Sequence, residues 1–588
     1  MSDDTRLTAG FDRRRFLGYF SAVGLGGTLL PGVLWAKVTT GEEITSATIA
    51  CAEEISGLKF TDAQRQQMVD GLKSQETQIQ QLRTIALDNA VAPAVHFDPV
   101  PPGVTLRLPA KRAMVRSRVP ARTMPRELDE LAFLPVTELS ELVRRRKVTA
   151  TQLTEMYLAR ITRYDPALKA VITVTRERAL RQAREADAEI ARGKYRGPLH
   201  GIPWGAKDLL AVKGYKTTWG AGPYRDQTID ADAAVVQRLD AAGAILIAKL
   251  TLGELAQGDI WFGGTTKNPW NLSQGSSGSS AGPGSAVAAG LVGFAIGTET
   301  LGSISSPATR NGVTGLRPTF GRVPRTGAMA LSWTMDKIGP MARSVEDCAL
   351  VLEAIHGPDN FDRAVKNIPF SWDASLAPSS LRIGYNKAAF DLAERNDKNV
   401  VQHGTKRFDD AALAVFRTMG VTLVPVELPE MPYGAMRLVL TAEGAAAFDE
   451  LTRSGRDAEL VQQTPRDWAN TFRTARFIAA VDYVNANRAR TLAMQKWHAL
   501  FETVDVIVTP TNVGSQLTAT NLTGHPAVIL PSGFRDTSES DRTQVPVSLT
   551  FLGGLYQEAT LLSVAKAWQD ATDFHKKYPV VNVINDQR

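Results

Sequence analysis

The chain has 588 residues, enough for a deep hydrophobic core, and a formal net charge of +6 at neutral pH. Residues 104–126 contribute seven basic side chains and no acidic one, so the rest is close to neutral, and this segment lacks the aromatic residues of a base-stacking nucleic-acid site. Two cysteines and seven isolated histidines form neither a disulfide framework nor a metal-binding motif. These features exclude a disulfide-rich protein and argue against a metal hydrolase or a nucleic-acid-binding protein.

The first 36 residues have the composition of a targeting segment. Three arginines followed by Phe and Leu occupy Arg13–Leu17, and a weakly apolar, glycine-rich run follows from Gly18 to Trp35. This order resembles a twin-arginine export signal. A basic N-terminus before a membrane anchor is disfavoured, because the glycines and Pro31 make a poor spanning helix. We expect a signal peptide that uses the twin-arginine export machinery and is cleaved near Ala36, so that the mature protein is periplasmic or secreted.

Residues 37–130 are expected to form an appendage to the main body. A Thr/Asp start and apolar residues at helical spacing predict a helix over Thr61–Ala92. Eight prolines and little periodicity over residues 93–135 predict an extended arm that wraps the surface. An acidic surface beneath the arm explains its basic residues as well as a nucleic acid does.

Alternation of helices and strands begins after residue 130. Three helices are predicted in its first part: Thr137–Arg146, Thr149–Tyr164 and Arg176–Arg192. The second has a capping box of Thr149 and Gln152, and the apolar run Ala244–Lys249 predicts a buried strand. The pattern predicts residues 131–588 as a large α/β domain, in which helices cover both faces of a mixed sheet.

Serines and glycines are concentrated at two places within Gly275–Arg322. Ser279 and Ser280 lie in the first loop, Ala286–Ile296 reads as a buried helix-like segment, and Ser303 lies in the second loop. Glycine lets a ligand approach backbone N–H groups closely, and several such groups can bind an oxyanion. A serine displayed among them is a candidate nucleophile. A flexible Gly/Ser linker is disfavoured, because the apolar run interrupts the serines.

Two segments resemble the amidase signature family. One is Gly315–Arg322, with the sequence Gly-Leu-Arg-Pro-Thr-Phe-Gly-Arg, and the other is Gly201–Asp208, with Gly-Ile-Pro-Trp-Gly-Ala-Lys-Asp. The resemblance runs from about residue 130 to the C-terminus and implies a single large domain around a twisted mixed sheet. It also implies an amidase that cleaves a carboxylic amide without a metal or cofactor. Residues 365–500 resemble the family least and carry no readable code for the substrate.

The resemblance also implies a role for individual residues. Ser303 corresponds to the nucleophile, and Ser279, which follows a cis peptide bond in the family, passes the proton of Ser303 to Lys207. Ser280 is a supporting neighbour. The oxyanion is implied to be held by backbone N–H groups of this loop: Thr300, Leu301, Gly302 and Ser303.

The choice among the serines of the first loop depends on aligning the Ala-rich run with the family. That alignment places the relay at Ser279, whereas a shifted one selects Ser276 or Ser277. Lys207 must be neutral to accept a proton, and burial lowers the pKa of a lysine by up to several units from about 10.4. We therefore expect Lys207 to be buried.

The second loop departs from the family pattern. Where the family has Asp-x-Gly-Gly-Ser-Ile-Arg, this chain has Glu-Thr-Leu-Gly-Ser-Ile-Ser, so Leu301 replaces a glycine and Ser305 replaces an arginine. Glu299 and Ser305 together indicate that a family ion pair has been exchanged. Leu301 indicates a different pocket or reduced activity, so a catalytically weakened or inactive binding protein is one alternative.

Two further enzyme classes compete with an amidohydrolase. Gly278–Gly282 has the Gly-x-Ser-x-Gly pattern of an esterase elbow around Ser280, but Asn268–Gln274 before it is typical of a turn rather than of the required strand. A transamidating, amidotransferase-type subunit for charged tRNA belongs to the same family, but it needs cytoplasmic tRNA and partner chains, which an exported protein lacks. The sequence therefore favours hydrolysis of a small-molecule amide through an acyl-enzyme on Ser303.

Overall fold

The computed structural model describes residues 44–581 except 57, 58, 86, 87, 92, 94, 109, 121, 394, 398, 399, 403, 404 and 539. The chain divides into two compact units, Met1–Asp88 and Asn89–Arg588. The expected export signal, residues 1–36, lies outside the described residues, and the expected boundaries after residues 36 and 130 stay predictions. No described helix combines the length and the apolar character needed to cross a bilayer.

The described part of the first unit contains two helices: α1 (Ser46–Ser56) and α2 (Asp62–Arg83). Arg65 joins them, because its guanidinium donates to the Glu53 carboxylate at 2.8 Å. The helix predicted over Thr61–Ala92 starts correctly but ends at Arg83. The N–H and the hydroxyl of Thr84 both bond to the carbonyl of Gln81, at 3.2 and 2.7 Å, so the regular helical ladder stops there.

The proline-rich arm belongs to the second unit and is held through its backbone. The Val115 N–H donates to the Trp372 carbonyl at 2.9 Å. The basic side chains of residues 104–126 are exposed, and Arg122 pairs with Glu138 at 2.6 Å. The expected acidic surface beneath the arm is thus represented by Glu138, and by Asp373, whose pKa is lowered by hydrogen bonds from Ser375 and by the positive charge of Arg112.

A mixed sheet forms the centre of the second unit. The strands of its described part are β1 (Val171–Val174), β2 (Pro203–Lys207), β3 (Ile245–Leu250), β4 (Ile260–Trp261), β5 (Gly264–Thr265), β6 (Lys267–Asn268), β7 (Asn271–Gly275), β8 (Phe294–Glu299), β9 (Thr314–Arg317), β10 (Lys337–Ala342), β11 (Ile383–Asn386), β12 (Arg395–Asp397), β13 (Val400–Gln402), β14 (Leu423–Val426), β15 (Val506–Pro510), β16 (Ala527–Asp536) and β17 (Gln544–Gly553). Eleven of them form one sheet in the order β1-β3-β2-β8-β10-β9-β16-β17-β15-β11-β14. β2 runs parallel to both β3 and β8, whereas β10 runs antiparallel to β8 and β9.

Helices flank this sheet: α3 (Val136–Arg144), α4 (Ala150–Leu168), α5 (Arg176–Ala191), α6 (Ala234–Ala241), α7 (Ala281–Ala288), α8 (Ser305–Asn311), α9 (Val345–Ile355), α10 (Lys387–Phe390), α11 (Lys406–Thr418), α12 (Tyr433–Met436), α13 (Leu438–Ala447), α14 (Asp449–Arg453), α15 (Trp468–Ala475), α16 (Ala480–Phe501), α17 (Gln516–Thr523) and α18 (Glu558–Asp570). Every residue of β2, β3, β9, β10 and β15 is buried, as expected for a sheet covered on its faces. The predicted fold class, a single large α/β domain with a mixed sheet flanked by helices, is confirmed.

The helices predicted near the start of the domain are present with small differences at their ends. α3 ends at Arg144, α5 at Ala191, and α4 continues to Leu168. The predicted capping box opens α4, because Thr149 Oγ1 accepts the Gln152 N–H at 3.0 Å and Gln152 Oε1 accepts the Thr149 N–H at 2.9 Å.

The prediction of one helix-like segment over Ala286–Ile296 is wrong. This run contains the end of a helix, a turn and the start of a strand. α7 stops at Ala288, and Gly290 adopts the left-handed conformation with φ +67°. The N–H of Leu291 bonds back to the Ala286 carbonyl at 2.9 Å, which closes a glycine-terminated helix end. The residues beyond this turn then join the sheet as β8.

Candidate active site

The carboxyl ends of β2 and β8 lie side by side in the sheet, because the two strands are parallel neighbours. Lys207 is the last residue of β2, and Thr298 and Glu299 are the last two of β8. Loops after such strand ends are the usual place for a site in α/β proteins. Lys207 is fully buried there, the environment that the neutral state of its amine requires.

Three hydroxyl groups surround the Lys207 amine. Its Nζ lies 2.9 Å from Ser279 Oγ, 3.0 Å from Ser280 Oγ and 2.9 Å from Thr298 Oγ1. The peptide bond between Gly278 and Ser279 is cis. The fold thus brings Lys207 to Ser279 and Ser280, which lie more than 70 positions later in the chain.

Ser276 and Ser277, the alternative relay residues, make other contacts. Ser276 Oγ donates to the Ser277 carbonyl at 3.1 Å, and the Ser277 N–H donates to Asp259 Oδ2 at 2.7 Å. In the described structure neither serine forms a hydrogen bond with Lys207. This geometry favours Ser279 as the residue that faces the amine.

The hydrogen bonds of Ser280 determine what it offers to Lys207. Its hydroxyl donates to the Thr298 carbonyl at 3.1 Å and accepts the Thr298 N–H at 3.1 Å. Because a serine hydroxyl has one proton, Ser280 can only accept from Lys207. A neutral amine has two protons and one lone pair, so when the protons are directed to Ser280 and Thr298 the lone pair faces Ser279.

The esterase-elbow alternative requires Ser280 to be displayed at the end of a central strand. Ser280 is fully buried. The prediction of a turn before it is incomplete. Asn271–Gly275 forms β7, which closes a short hairpin with Lys267–Asn268. That hairpin lies outside the eleven-stranded sheet, so it does not supply the strand of an elbow.

Ser303 lies in the turn between β8 and α8. Its carbonyl accepts the Ser280 N–H at 3.0 Å, which joins the two serine loops. The residue is 8% exposed, and its hydroxyl forms no hydrogen bond with any residue that the structure describes. The Ser303 hydroxyl is therefore free to approach a substrate beside the loop that carries Ser279.

Consecutive backbone N–H groups next to the Ser303 hydroxyl have no acceptor within the described part of the chain: those of Thr300, Leu301, Gly302 and Ser303. Backbone donors in a protein interior are normally paired, so such a run can receive an oxyanion. Gly302 has φ +87°, which favours glycine. The Leu301 side chain packs against the hydrophobic core.

The departures at Glu299 and Ser305 form one hydrogen-bonded group. Glu299 accepts the N–H and the hydroxyl of Ser305, each at 2.8 Å, and it forms a buried ion pair with Arg317 at 2.8 Å. Burial raises the pKa of the Glu299 carboxyl, but Arg317 and the hydrogen bonds from Asn521 and Ser305 outweigh it and lower that pKa to about 2. Arg317 of β9 thus supplies the cation that the loop itself lacks.

The charge environment of Lys207 favours its neutral form. Burial lowers the pKa of the Lys207 ammonium well below its ordinary value, although the negative charges of Asp336 and Glu299 act in the opposite direction. The next residue, Asp208, forms a buried ion pair with Lys249 at 2.7 Å and accepts from Thr218, so its own charge is directed elsewhere.

Sequence reasoning did not single out Thr298, Asp336 or Asn521. Thr298 touches Lys207, Asp336 accepts from Thr300, and Asn521 donates to Glu299 at 2.7 Å. The one available signal was a polar threonine inside the apolar run of β8. Among the described residues, no group of three or more His, Cys, Asp or Glu side chains is arranged to hold a metal ion.

Comparison with known proteins places this chain in a family. A family model described as amidase matches residues 152–519, more than half of the chain. The chain belongs to the amidase family. The amidase signature motifs that carry Lys207 and Ser303 lie within the matched residues.

Relatives of this amidase-family chain include amidotransferase subunits and a peptide amidase. It is 36% identical over 495 residues to a glutamyl-tRNA(Gln) amidotransferase subunit of Methylococcus capsulatus and 33% identical over 493 residues to that of Roseiflexus castenholzii. Each match covers 76% of this chain and 98% of the relative. The solved peptide amidase of Stenotrophomonas maltophilia is 32% identical, with a TM-score of 0.67, and the match covers 77% of this chain and 100% of that one.

Proposed function

We propose that this protein hydrolyses a small-molecule carboxylic amide through an acyl-enzyme on Ser303. The observation that carries the proposal is the buried Lys207 amine at 2.9 Å from Ser279 Oγ, beside the loop of Ser303. A neutral buried amine is a proton acceptor, and a serine between it and the nucleophile can pass a proton in either direction.

In the first half of the reaction, Ser303 Oγ forms a bond to the amide carbon. Its proton passes to Ser279 Oγ as the Ser279 proton passes to Lys207 Nζ. The carbonyl oxygen becomes an oxyanion, which the free N–H groups of residues 300–303 stabilise. When the C–N bond breaks, the leaving amine takes the proton back from Lys207 through Ser279.

In the second half, water attacks the Ser303 ester. Its proton travels along the same path to Lys207, and the Ser303 oxygen takes it back when the carboxylic acid leaves. The path runs both ways because Ser279 is at once a donor and an acceptor. Ser280 keeps Lys207 in place, since it can only accept from the amine.

A second candidate function is that of an amidotransferase-type subunit. The names of relatives that are 33% and 36% identical support it, since these are subunits of glutamyl-tRNA(Gln) amidotransferases. Such a role requires partner chains, whereas the similarity to a solved peptide amidase supports cleavage of an amide substrate. An inactive binding protein, the alternative suggested by Leu301 and Ser305, is weaker. The Leu301 side chain packs against the core, and Arg317 supplies the positive charge that pairs with Glu299.

We also propose that the protein acts outside the cytoplasm, on the basis of the Arg13–Leu17 motif and the glycine-rich run behind it. Export supports the independent hydrolase over the amidotransferase role, because charged tRNA and its enzymes stay in the cytoplasm.

A hydrolysis screen on the purified chain tests these functions against one another. Peptide amides, fatty amides, aryl amides and glutamine are offered to the parent and to Ser303→Ala, and release of the amine is measured. Turnover of at least one amide by the parent alone, lost in the variant, supports the hydrolase. Turnover only of glutamine, and only after partner chains are added, supports the amidotransferase role; no turnover supports the binding protein.

A further inference from the structure

Asp336 joins two loops at the site. It lies directly before β10, and its Oδ1 accepts from Thr300 Oγ1 at 2.5 Å. Its Oδ2 accepts the N–H groups of Leu331 and Ser332 at 2.8 and 3.0 Å. One carboxylate therefore fixes the loop of residues 331–336 and, through Thr300, the loop that presents the oxyanion donors and Ser303.

We propose that Asp336 is a positioning residue for the Thr300–Ser303 loop and the electrostatic partner of Lys207. The inference rests on the proposed hydrolytic function, since it concerns the same serine and lysine. Asp336 acts through Thr300 and through its charge, and no proton of the proposed reaction passes along it.

Asp336 and Glu299 differ in the groups that balance their negative charges. The described carboxylates that act on Lys207 are Asp336 and Glu299, and Glu299 is balanced by Arg317 at 2.8 Å. Asp336 is instead bound by a hydroxyl and two backbone N–H groups. Other charged groups near these residues are Asp208 with Lys249, Asp362 with Arg325, Lys337, Glu443 and Arg490, and the positive charge of Arg325 also acts on Asp336.

Burial raises the pKa of the Asp336 carboxyl above its ordinary value, although hydrogen bonds from Thr300, Ser332 and Leu331 and the positive charge of Arg325 oppose that rise. Burial lowers the pKa of the neighbouring Lys337 well below its ordinary value, so that lysine is a poor counter-ion for Asp336. The negative charge of an ionised Asp336 favours the protonated form of Lys207.

A second buried carboxylate, Glu443, also binds the loop of residues 331–336. Glu443 accepts from Ser332 Oγ at 2.6 Å, from Thr334 Oγ1 at 2.8 Å and from Tyr483 OH at 2.8 Å. Glu443 belongs to α13 and Tyr483 to α16, both within residues 365–500, which resemble the family least. The packing of these divergent helices is therefore linked to Asp336 and, through it, to the nucleophile loop.

The test is the pH dependence of Ser303 labelling by a fluorophosphonate, which needs no amide substrate. Asp336→Asn removes a charge that favours protonated Lys207, so the amine should lose its proton at lower pH. We expect the acidic limb of the labelling rate to move down by about one pH unit. Asp347→Asn removes another buried carboxylate, one that caps α9, and should leave the limb in place.

Thr300→Val and Thr300→Ser test the positioning role without changing Asp336. Valine removes the hydroxyl that reaches Asp336, whereas serine keeps it, so the valine variant should label at least tenfold more slowly than the serine variant at the high-pH plateau. An unmoved or raised limb in Asp336→Asn, or equal plateau rates in both Thr300 variants, overturns the inference and leaves the proposed function intact. Failure of the parent to label Ser303 at any pH would overturn both the inference and the proposed function.

Discussion

The amine of Lys207 is buried among three hydroxyl groups, where a positive charge would lose its hydration. Desolvation therefore favours the neutral amine over the protonated one, against the pull of Asp336 and Glu299. The hydroxyl of Ser280 then orients the lone pair, because its own proton is already donated to Thr298. At the scale of single residues, burial determines the charge of Lys207, and hydrogen bonding determines the direction of its lone pair.

Replacement of Lys207 tests this view of the base. Lys207→Ala should lower kcat by about 10²- to 10⁴-fold, because Ser303 loses the final acceptor of its proton. Lys207→Arg should not restore activity, since a guanidinium does not deprotonate in proteins. Steady-state kinetics on whichever amide the parent hydrolyses measures both effects.

The pH profile of the parent checks the same residue. A lysine whose pKa is lowered loses its proton at lower pH than usual, so kcat/KM should rise with pH along a limb well below the ordinary lysine value. That limb should be absent from the residual activity of Lys207→Ala. Near-parental activity in Lys207→Arg would mean that the residue serves only as a fixed charge.

Glu299 and Glu558 offer a matched pair of buried carboxylates. Each forms an ion pair of 2.8 Å with a buried arginine, but only Glu299 also binds the N–H groups that follow Ser303. Glu299→Gln and Glu558→Gln should each lower the free energy of unfolding by about 3 kcal/mol, because a buried arginine loses its partner. Urea denaturation measures this loss.

The two Glu variants should differ in their labelling. Only Glu299→Gln should slow the reaction of Ser303 with a fluorophosphonate, because only there does the nucleophile loop lose an anchor. Equal labelling rates in the two folded variants would contradict the assigned role of Glu299.

At the scale of elements, the turn between α7 and β8 determines whether the two serine loops meet. Gly290 ends the helix in the left-handed conformation, and the next residues enter the sheet beside β2. The strand then delivers Thr298 to Lys207 and leads directly into the loop of Ser303. A continuous helix over Ala286–Ile296 would carry that loop away from β2.

Gly290→Ala tests how much this turn contributes to the free energy of unfolding. Its Cβ would meet Phe133 Cε1 at 2.9 Å, and its φ of +67° is unfavourable for alanine. Gly193→Ala is the control, since Gly193 has φ +82° but open space around it. We expect Gly193→Ala to cost about 1–2 kcal/mol in the free energy of unfolding and Gly290→Ala at least about 1 kcal/mol more. An equal loss in both variants would show that the contact with Phe133 is relieved at no cost.

Sequence patterns predicted the elements with strong local signals and missed those set by tertiary contacts. The capping box at Thr149 and the apolar strand β3 are local, and the motifs around Lys207 and Ser303 are contiguous. The end of α2 at Arg83 and the helix–strand division of Ala286–Ile296 depend on single hydrogen bonds or one glycine φ. Asp336 could not be found, because it reaches the site only when β10 pairs with β8.

At the scale of the whole molecule, about a quarter of the chain lies outside the matches to its relatives, which cover 76–77% of it. The expected signal, the two helices of the first unit and the basic arm all precede residue 152, where the match to the family model begins. The exposed cations of residues 104–126 and the export motif are the features that the sequence indicated there.

Export is tested on the full-length precursor. Replacement of Arg13, Arg14 and Arg15 together by lysine should leave uncleaved precursor in the cytoplasm, because the twin-arginine route requires the arginine pair. Fractionation followed by immunoblotting measures the distribution, and replacement of Arg6 by lysine is the control that should export normally. Unchanged export of the triple variant would show that the protein is not exported by the twin-arginine route.

The site of covalent labelling tests the central claim most directly. The purified chain is treated with a fluorophosphonate, digested, and the modified peptide is sequenced by mass spectrometry for the parent, Ser303→Ala and Ser280→Ala. The account predicts a single adduct on Ser303 in the parent, its loss in Ser303→Ala and a slower but detectable adduct on Ser303 in Ser280→Ala. An adduct on Ser280, or one that persists in Ser303→Ala, would contradict the assignment of Ser303 as the nucleophile.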